Sequence, residues 1–316
     1  MVTENKVKEV VEFYLDNGEE KTLVSFDVKQ DTLRRYIAEY KKSNVERWNN
    51  KALLLRLKER FTDAELRAIA DSGTTTKASG KIETLNLDGD VFKLGYMACT
   101  HFGSKFFHEY HFFTALEMFE KENVDFIAHA GDVTEGMSNR DGHYLECTHL
   151  GYDAQKDYSI SLMKQTNKPW KMIDGNHDRW YAKSSGAFIV KDICEALPSA
   201  TFLGSDEGDI YLNKAKIRLW HGEDGSCYAI SYRLQKLIES FSGGDKPAVL
   251  IAGHVHKYGK FFIRNVHALG AGCIQLQSAW MRSKRLEAHP GFGILELCIS
   301  DGEVKWLKDL FVPFYN

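Results

Sequence analysis

The chain has 316 residues, of which 43% are hydrophobic and 27% are charged, and its formal net charge is −3. A chain of this size can bury a sizeable core, and it has room for one large domain and a small one. The slightly negative charge argues against a uniformly basic nucleic-acid coat protein. Any contact with nucleic acid therefore has to come from a local basic patch.

The six cysteines are scattered along the chain, and no two of them stand in a CxxC spacing. This pattern predicts free thiols, no disulfide framework and a cytoplasmic location. The first residues lack the basic start and apolar run of a signal peptide. No apolar stretch reaches the roughly 18 residues that a membrane helix needs, so we expect no membrane contact.

Residues 1–71 are predicted to form a small helical unit. Apolar residues recur at helical spacing in four segments, 6–17, 20–26, 30–42 and 43–70. The second and third segments flank a tight turn, and the third presents Arg34 and Arg35. Together they resemble a helix-turn-helix, although the usual turn glycine is missing and Asp27 stands near its position.

Charge changes sign within this unit. Residues 1–28 hold three lysines and seven acidic residues, whereas residues 29–60 hold ten basic and four acidic residues. The basic block begins where the third helix begins, which favours Arg34 and Arg35 as DNA contacts. The alternative is a solvated helix face on a small packing module.

A polar run at 72–80 predicts a linker, and residues 81–316 then form the second domain. Apolar segments of strand length are expected at 85–87, 91–98, 124–130, 170–173, 217–220, 249–252, 261–265, 272–277 and 292–299. Helical patterns lie between them at 112–121, 153–165 and 228–241. The Asp-Gly turn at 88–90 predicts a hairpin. This alternation predicts an α/β fold built as a two-sheet sandwich.

Polar motifs follow five of the predicted strands. They are Cys-Thr-His-Phe-Gly at 99–103, Gly-Asp-Val-Thr-Glu-Gly at 131–136, Gly-Asn-His-Asp at 175–178, His-Gly-Glu at 221–223 and Gly-His-Val-His at 253–256. Imidazoles, a carboxylate and an amide suit a pair of divalent metal ions. Because ligand sites in α/β sheets lie at the carboxyl ends of strands, we expect these motifs to meet in one site.

The five motifs, in this order, resemble those of the calcineurin-like metallophosphoesterases over about residues 91–300. The resemblance implies a four-layer α/β/β/α sandwich, two divalent metal ions and phosphoester hydrolysis by a metal-activated hydroxide. It points to bacteriophage or prophage members and, more distantly, to nuclease subunits of double-strand-break repair complexes. Such relatives allow a homodimer, and the helix-turn-helix-like unit is the reason to expect DNA as the substrate.

The resemblance also implies ligand roles. One metal ion takes Cys99, His101, Asp132 and His256, and the other takes Asp132, Asn176, His221 and His254. His177 matches the family's histidine that reaches the scissile phosphate and assists the leaving group. Asp178 is expected to orient His177, as carboxylates commonly do for an imidazole.

Cys99 departs from the family pattern, which has Asp at this position. A thiolate favours zinc or iron over magnesium, whereas a neutral thiol leaves its metal ion weakly held. We expect manganese, with zinc, iron or magnesium as alternatives and a softer ion favoured beside Cys99. Three outcomes stay open: an enzyme with a softer ion, an enzyme with one loosely held ion, and a protein that has lost catalysis.

Substrate contacts are expected from Arg179, next to Trp180, and from Arg233, in the helix after the His221 motif. Residues 281–285 form a second basic cluster, and Glu135 is interpreted as a solvent-facing or supporting acid. The leading hypothesis is a metal-dependent phosphoesterase that hydrolyses nucleic-acid phosphodiester bonds, and hence a DNA nuclease. The alternatives are a small-molecule or phosphoprotein phosphatase or phosphodiesterase, and a DNA-binding protein with a catalytically impaired phosphoesterase fold.

Overall fold

The computed structural model describes residues 4–43, 80–223 and 229–315 of the chain. The chain divides into two compact units, Met1–Thr75 and Thr76–Asn316, and each is described by itself. The helix predicted at 43–70 and the linker predicted at 72–80 lie outside the described residues, apart from Ser43 and Gly80.

The described part of the first unit consists of helices α1 (Glu4–Asn17), α2 (Glu19–Phe26) and α3 (Gln30–Ser43). Their apolar faces meet in a small core, in which Val10 is fully buried and Leu33 is nearly so. Asp27, in the turn between α2 and α3, adopts a φ of 48°, and its backbone N–H bonds to the carbonyl of Leu23. Asp27 thus takes the left-handed position that glycine commonly occupies at a helix end.

Strands and helices alternate through most of the second unit. The strands are β1 (Glu83–Leu85), β2 (Val91–Met97), β3 (Phe126–Ala130), β4 (Trp170–Asp174), β5 (Ala200–Ser205), β6 (Glu207–Leu212), β7 (Ala215–Trp220), β8 (Val249–Ala252), β9 (Tyr258–Ile263), β10 (Val266–Ala271), β11 (Gly291–Ser300) and β12 (Glu303–Pro313). The helices are α4 (Glu109–Lys121), α5 (Tyr152–Met163), α6 (Arg179–Ser185), α7 (Ile189–Ala196), α8 (Ile230–Ser240) and α9 (Ala279–Ser283), with 3₁₀ turns at His143–Glu146 and Gly243–Asp245.

The strands form two six-stranded sheets, in the orders β12-β11-β2-β3-β4-β5 and β1-β6-β7-β8-β10-β9. The sheets pack face to face through fully buried side chains such as Leu94 and Ile251. Helices α4 and α7 cover the outer face of the first sheet through Phe112 and Ile193. Helix α8 covers the second sheet through Ile238. The predicted four-layer α/β/β/α sandwich is therefore confirmed.

Both sheets contain parallel strands whose carboxyl ends carry the predicted motifs. In the first sheet β2, β3 and β4 run parallel, and in the second sheet β7, β8 and β10 do. The motifs follow β2, β3, β4, β7 and β8 within a few residues of each strand end. The fold thus places polar loops from both sheets where they can meet, as expected for an α/β site.

Two strand predictions are wrong. The hairpin around 88–90 does not form, because β1 pairs with β6 of the second sheet while β2 pairs with β3 and β11 of the first. An Asp-Gly turn signals a chain reversal, but it does not decide which sheet the next strand joins. Residues 272–277, predicted as a strand, form the loop after β10. The sequence analysis also did not predict β12, which pairs with β11.

The described cysteines, Cys99, Cys147, Cys194, Cys273 and Cys298, are free thiols. Within the described ranges, the longest helices are too short and too polar to cross a membrane.

Gly293 on β11 allows a close approach to Tyr96 on β2. A Cβ at position 293 overlaps the Tyr96 ring, whose hydroxyl donates a 2.8 Å hydrogen bond to Asp309 and holds the ring in place. We expect Gly293→Ala to lower the free energy of unfolding by about 2–3 kcal/mol through overpacking. Urea denaturation measures the change. The matched control is Gly244→Ala, because nothing lies within 4 Å of the added Cβ; equal stability of the two variants contradicts this packing.

Candidate metal centre

Asp132, just after β3, lies at the centre of the candidate site. Its Oδ2 is 3.1 Å from His221 Nε2 and 3.8 Å from His101 Nε2. Its Oδ1 accepts a 2.9 Å hydrogen bond from the backbone N–H of His177. The carboxylate is almost fully buried. One carboxylate therefore faces groups from three other loops, which is the geometry of a ligand shared between two ions.

Asn176 lies between two of the predicted ligands. Its Oδ1 is 3.0 Å from His221 Nε2 and 2.9 Å from His254 Nδ1. His221 Nδ1 is 2.8 Å from the carbonyl oxygen of Ala130, which can only accept, so Nδ1 carries a proton. In the neutral ring the lone pair of Nε2 then faces the oxygens of Asn176 and Asp132. A cation or a proton is needed there to relieve the repulsion.

Protonation fills this role when no cation is bound. Burial opposes the charged form, but the carboxylate of Asp132 raises the pKa of His221 above its usual value. In the same way burial opposes ionisation of Asp132, while His221, His177 and His101 hold the pKa of its carboxyl well below its usual range. Protons and metal ions therefore compete for this cluster.

A second group of donors surrounds His256. Its Nε2 is 3.2 Å from His101 Nε2, and Cys99 completes a group whose donor atoms all lie within 4.8 Å of one another. The buried Nδ1 of His256 has no hydrogen-bond partner among the described residues. Burial, followed by the charge of His101, holds the pKa of His256 well below its usual range. His256 is therefore neutral and available as a ligand.

These donors fit a pair of divalent ions. The group around Asn176 can supply an amide oxygen and the imidazoles of His221 and His254. The group around His256 can supply the thiol of Cys99 and the imidazoles of His101 and His256. Asp132 contacts both groups. Imidazole, carboxylate and amide donors suit manganese, zinc and iron, and a thiolate adds a preference for the softer ions.

Several of the candidate ligands have strained backbones. Left-handed φ angles occur at Cys99 (51°), His101 (50°), Asp132 (53°), His254 (74°) and His256 (56°). This conformation is uncommon and costly for residues other than glycine, and it persists only where the surrounding structure enforces it. Its concentration here shows that the loops are shaped to aim side chains into the site.

The structure shows why the Gly-Asn-His-Asp motif begins with a glycine, Gly175. A Cβ at position 175 overlaps Oδ1 and the backbone nitrogen of Asp132. The loop after β4 can therefore lie against Asp132 only if residue 175 has no side chain. This contact brings Asn176 and His177 within reach of the shared carboxylate.

Cys99 is fully buried, and its Sγ accepts a 3.3 Å hydrogen bond from the backbone N–H of His254. Burial, reinforced by the charge of Asp132, raises the pKa of the Cys99 thiol well above its usual value. The thiol is thus neutral at physiological pH unless a bound cation displaces its proton.

Asp178 has a different role from the one predicted. Within the described ranges, its carboxylate accepts hydrogen bonds from the backbone of Thr134 and Gly175, each 2.8 Å long, and from the Thr134 hydroxyl. The ring of His177 instead donates from Nδ1 to the backbone carbonyl of Glu135 over 2.8 Å. Asp178 therefore ties the loops after β3 and β4 together, and the Glu135 carbonyl orients His177.

Arg179 is not free to bind substrate, which corrects the prediction. Its side chain is 2% exposed and forms ion pairs with Asp174 (2.9 Å), Asp206 (3.2 Å) and Glu223 (2.8 Å). Three carboxylates already satisfy the guanidinium in a buried position, where breaking a pair is costly. Arg179 thus connects the end of β4 with the loop that contains His221.

A cavity of about 500 Å³ opens onto the site. Among its lining residues are His177, Trp180 and Arg233. Trp180 packs against His177 with ring centres 4.0 Å apart. Arg233, a predicted substrate contact, donates to the carbonyl of Gly222 while facing this cavity. Residues 225–228, predicted to help receive phosphate, lie outside the described residues.

Glu135, His143 and Gln275 form a buried network that the sequence analysis did not assign. Glu135 is 2.9 Å from His143 Nε2 and 3.1 Å from both Gln275 Nε2 and His101 Nδ1. It is not solvent-facing, since it is only 3% exposed. Glu135 follows Asp132 by three residues, and this proximity in sequence could have indicated that it belongs to the site. His143 and Gln275 are distant in sequence and carry no motif.

The predicted DNA contacts Arg34 and Arg35 lie in the first unit. Both are exposed on α3, and Arg34 is 3.8 Å from Asp31 on the preceding turn. They are accessible to a partner.

A family model described as calcineurin-like phosphoesterase matches residues 92–258. The chain is 23% identical over 247 residues to the DNA polymerase II small subunit of Archaeoglobus fulgidus. That match covers 63% of this chain and 50% of the relative, so the chain spans about half the length of the curated protein it matches.

Similar solved structures include an archaeal phosphodiesterase, with a TM-score of 0.41 and 20% identity over 70% of this chain and 100% of that one. Another is the phosphoesterase Yfce from E. coli, with a TM-score of 0.38 and 17% identity over 69% and 98%. A third is Vps29 from Entamoeba histolytica, with a TM-score of 0.38 and 13% identity over 70% and 99%.

The position of Cys99 yields a test of metal preference. We expect Cys99→Asp to raise affinity for Mn²⁺ and to lower affinity for Zn²⁺, because a carboxylate oxygen replaces a soft sulfur donor. Titration calorimetry of the metal-free protein with each ion measures both changes. Cys298→Asp, at a partly exposed thiol on β11, is the matched control. Unchanged preference between the two ions contradicts a ligand role for Cys99.

Proposed function

The chain belongs to the calcineurin-like phosphoesterase family, and from this premise we propose that it hydrolyses phosphodiester bonds of nucleic acid, with DNA as the expected substrate. The observation that carries the proposal is the convergence on Asp132, which lies 3.1 Å from His221 and 3.8 Å from His101. This arrangement faces an open cavity rather than the closed interior. Such a site can serve an in-line displacement at phosphorus.

The proposed ligand sets follow the two donor groups. Cys99, His101, Asp132 and His256 hold one divalent ion, and Asp132, Asn176, His221 and His254 hold the other. When bound, such ions polarise phosphoryl oxygens and lower the pKa of water. The chain's own contribution is to fix the donors, since the strained loops and the contact at Gly175 leave them little freedom.

His177 is the proposed proton donor to the leaving oxygen. Its Nδ1 donates to the carbonyl of Glu135, so Nε2 is the nitrogen left to exchange a proton with substrate. The ring is held from a second side by Trp180 and its backbone is held by Asp132. Because Nδ1 keeps its proton, Nε2 has a proton to donate only in the imidazolium form, which burial disfavours by lowering the pKa of His177. His177 therefore has to take up a proton, favoured by the nearby carboxylate of Asp132, before it can act as the general acid.

Three features support nucleic acid as the substrate. Helix α3 exposes Arg34, Arg35, Lys41 and Lys42. The cavity is lined by Arg233, by Lys257 and by tryptophans, which offer charge and stacking surfaces. The similarity to a DNA polymerase small subunit is consistent with a role at DNA. The homodimer that the resemblance allows stays a prediction.

One other function has a specific observation in its favour. Cys99 brings a buried, neutral thiol to a ligand position, and a weakly held ion there impairs catalysis. The chain is then a DNA-binding protein with an impaired phosphoesterase fold. A phosphatase or phosphodiesterase for a small molecule or phosphoprotein is the third outcome that the experiments distinguish.

The reaction class can be tested with His177→Ala. We expect the wild type with Mn²⁺ to hydrolyse bis(p-nitrophenyl) phosphate faster than p-nitrophenyl phosphate, and to nick plasmid DNA. His177→Ala should lower kcat about 10²–10⁴-fold, because a general acid is lost, while metal content by mass spectrometry stays near that of the wild type. Hydrolysis of the monoester alone selects the phosphatase. Salt-sensitive DNA binding without hydrolysis, under Mn²⁺, Zn²⁺, Fe²⁺ and Mg²⁺, selects the impaired protein.

The role of α3 is tested in the full chain with R34E/R35E. We expect weaker binding to duplex DNA and a slope of log affinity against log salt that is reduced by about 2, since two phosphate contacts are lost. Fluorescence anisotropy across a salt series gives both values. K6E/K8E reverses two exposed charges on α1 and is the matched control. Equal effects of the two variants indicate a general charge effect and contradict a DNA contact at α3.

A further inference from the structure

A basic segment adjoins the cavity lining in the chain. Trp280 on α9 lines the cavity and is 42% exposed. It is followed by Arg282, Lys284 and Arg285, which are exposed and do not line the cavity themselves, although Met281 and Leu286 on either side of them do. These three cations are called the basic rim below. An exposed tryptophan next to three exposed cations is an unusual surface on a chain with a net charge of −3.

The acidic groups near this opening are already paired. Glu287 lies 2.7 Å from Lys257, and Glu146 forms an ion pair with Arg140. Among the described residues, no carboxylate forms an ion pair with the basic rim. Within the described ranges, the positive charge of the basic rim is therefore not paired, and it adjoins in sequence the residues that line the cavity, so it can attract an anionic chain.

Trp280 is held in place by its short helix. The Ser278 side chain accepts a hydrogen bond from the backbone N–H of Met281 over 3.1 Å, and Met281 is buried. The guanidinium of Arg140 lies 5.8 Å from the centre of the Trp280 ring. The helix thus fixes the backbone of Trp280, and much of its ring stays open for a flat group to stack on.

We propose that Trp280 and the basic rim bind an unpaired nucleic-acid strand and lead it into the cavity. A base stacks on Trp280, and backbone phosphates lie along Arg282, Lys284 and Arg285. Aromatic platforms combined with a basic track are what proteins use for single strands, whose bases are free to stack on a side chain. Duplex bases are stacked on each other and cannot do so without distortion. This inference rests on the proposed phosphodiesterase function and specifies its substrate as single-stranded nucleic acid.

The stacking contact is tested with Trp280→Ala and Trp280→Phe. Substrates are a single-stranded oligodeoxynucleotide, the same sequence as a duplex, and bis(p-nitrophenyl) phosphate. We expect Trp280→Ala to raise KM for the single strand about tenfold, well beyond its effect on the other two substrates, and Trp280→Phe to restore most of the loss. Trp306→Ala, at another exposed tryptophan outside the cavity lining, is the matched control. An equal KM change for all substrates overturns the proposal.

The basic rim is tested separately with R282Q/K284Q/R285Q. We expect the slope of log affinity against log salt for the single strand to fall by about 2, since each phosphate contact on a single strand contributes about 0.7. Anisotropy in EDTA measures binding without hydrolysis. K121Q/K164Q/K191Q removes the same charge from exposed positions that are more than ten residues in the chain from any residue lining the cavity. An unchanged slope in the rim variant, or the same change in the control, overturns the contact.

Failure of this inference is distinguishable from failure of the proposed function. Suppose that DNA is hydrolysed, but that the Trp280 variants change KM for the single strand relative to the other substrates no more than Trp306→Ala does. The proposed single-strand contact is then wrong, and the proposed phosphodiesterase function is retained. If no phosphodiester is hydrolysed with any metal, the proposed function is wrong. The binding measurements in EDTA still test whether the basic rim contacts a single strand, because they need no turnover.

Discussion

The buried carboxylate of Asp132 is the constraint on which the site depends. A carboxylate at 2% exposure is costly to ionise, and only surrounding cations or donors make its charge tolerable. The chain meets this requirement with His221, His101 and the backbone N–H of His177, which come from three different loops. The same contacts that stabilise the charge also bring the donors together. The contacts that stabilise the buried carboxylate of Asp132 are therefore also the contacts that assemble the site.

Charged residues behind the donors keep these loops in position. Asp178 accepts backbone hydrogen bonds from the loops after β3 and β4, and Arg179 joins Asp174, Asp206 and Glu223. Both residues stand in or next to a chemical motif, yet their contacts hold other residues in place. This support lets Asp132 and its neighbours adopt left-handed backbone angles that would otherwise relax.

The donor cluster around Asp132 and the basic rim have separate proposed roles. The buried donors are imidazole, amide, carboxylate and thiol groups, whose chemistry suits metal ions and phosphorus. The basic rim follows exposed Trp280 in the chain, and in the described ranges its cations form no ion pair, which is the basis of the proposed contact with a nucleic-acid strand. Cys99 is fully buried among the candidate donors, so it bears on the ion chosen rather than on the strand bound.

The sequence by itself indicated the strands that precede the five motifs and the candidate donor residues. Periodicity located α1, α2 and α3 to within a few residues, and the order of motifs after strands named the side chains that the structure brings around Asp132. Only the tertiary structure decided that Asp178 and Arg179 are supports, that Glu135 is buried, and that β1 and β2 join different sheets. The physical reason is that periodicity and strand ends are local properties of the chain. The partner of a charged side chain, and the sheet that a strand joins, depend on directions and burial set by residues distant in sequence.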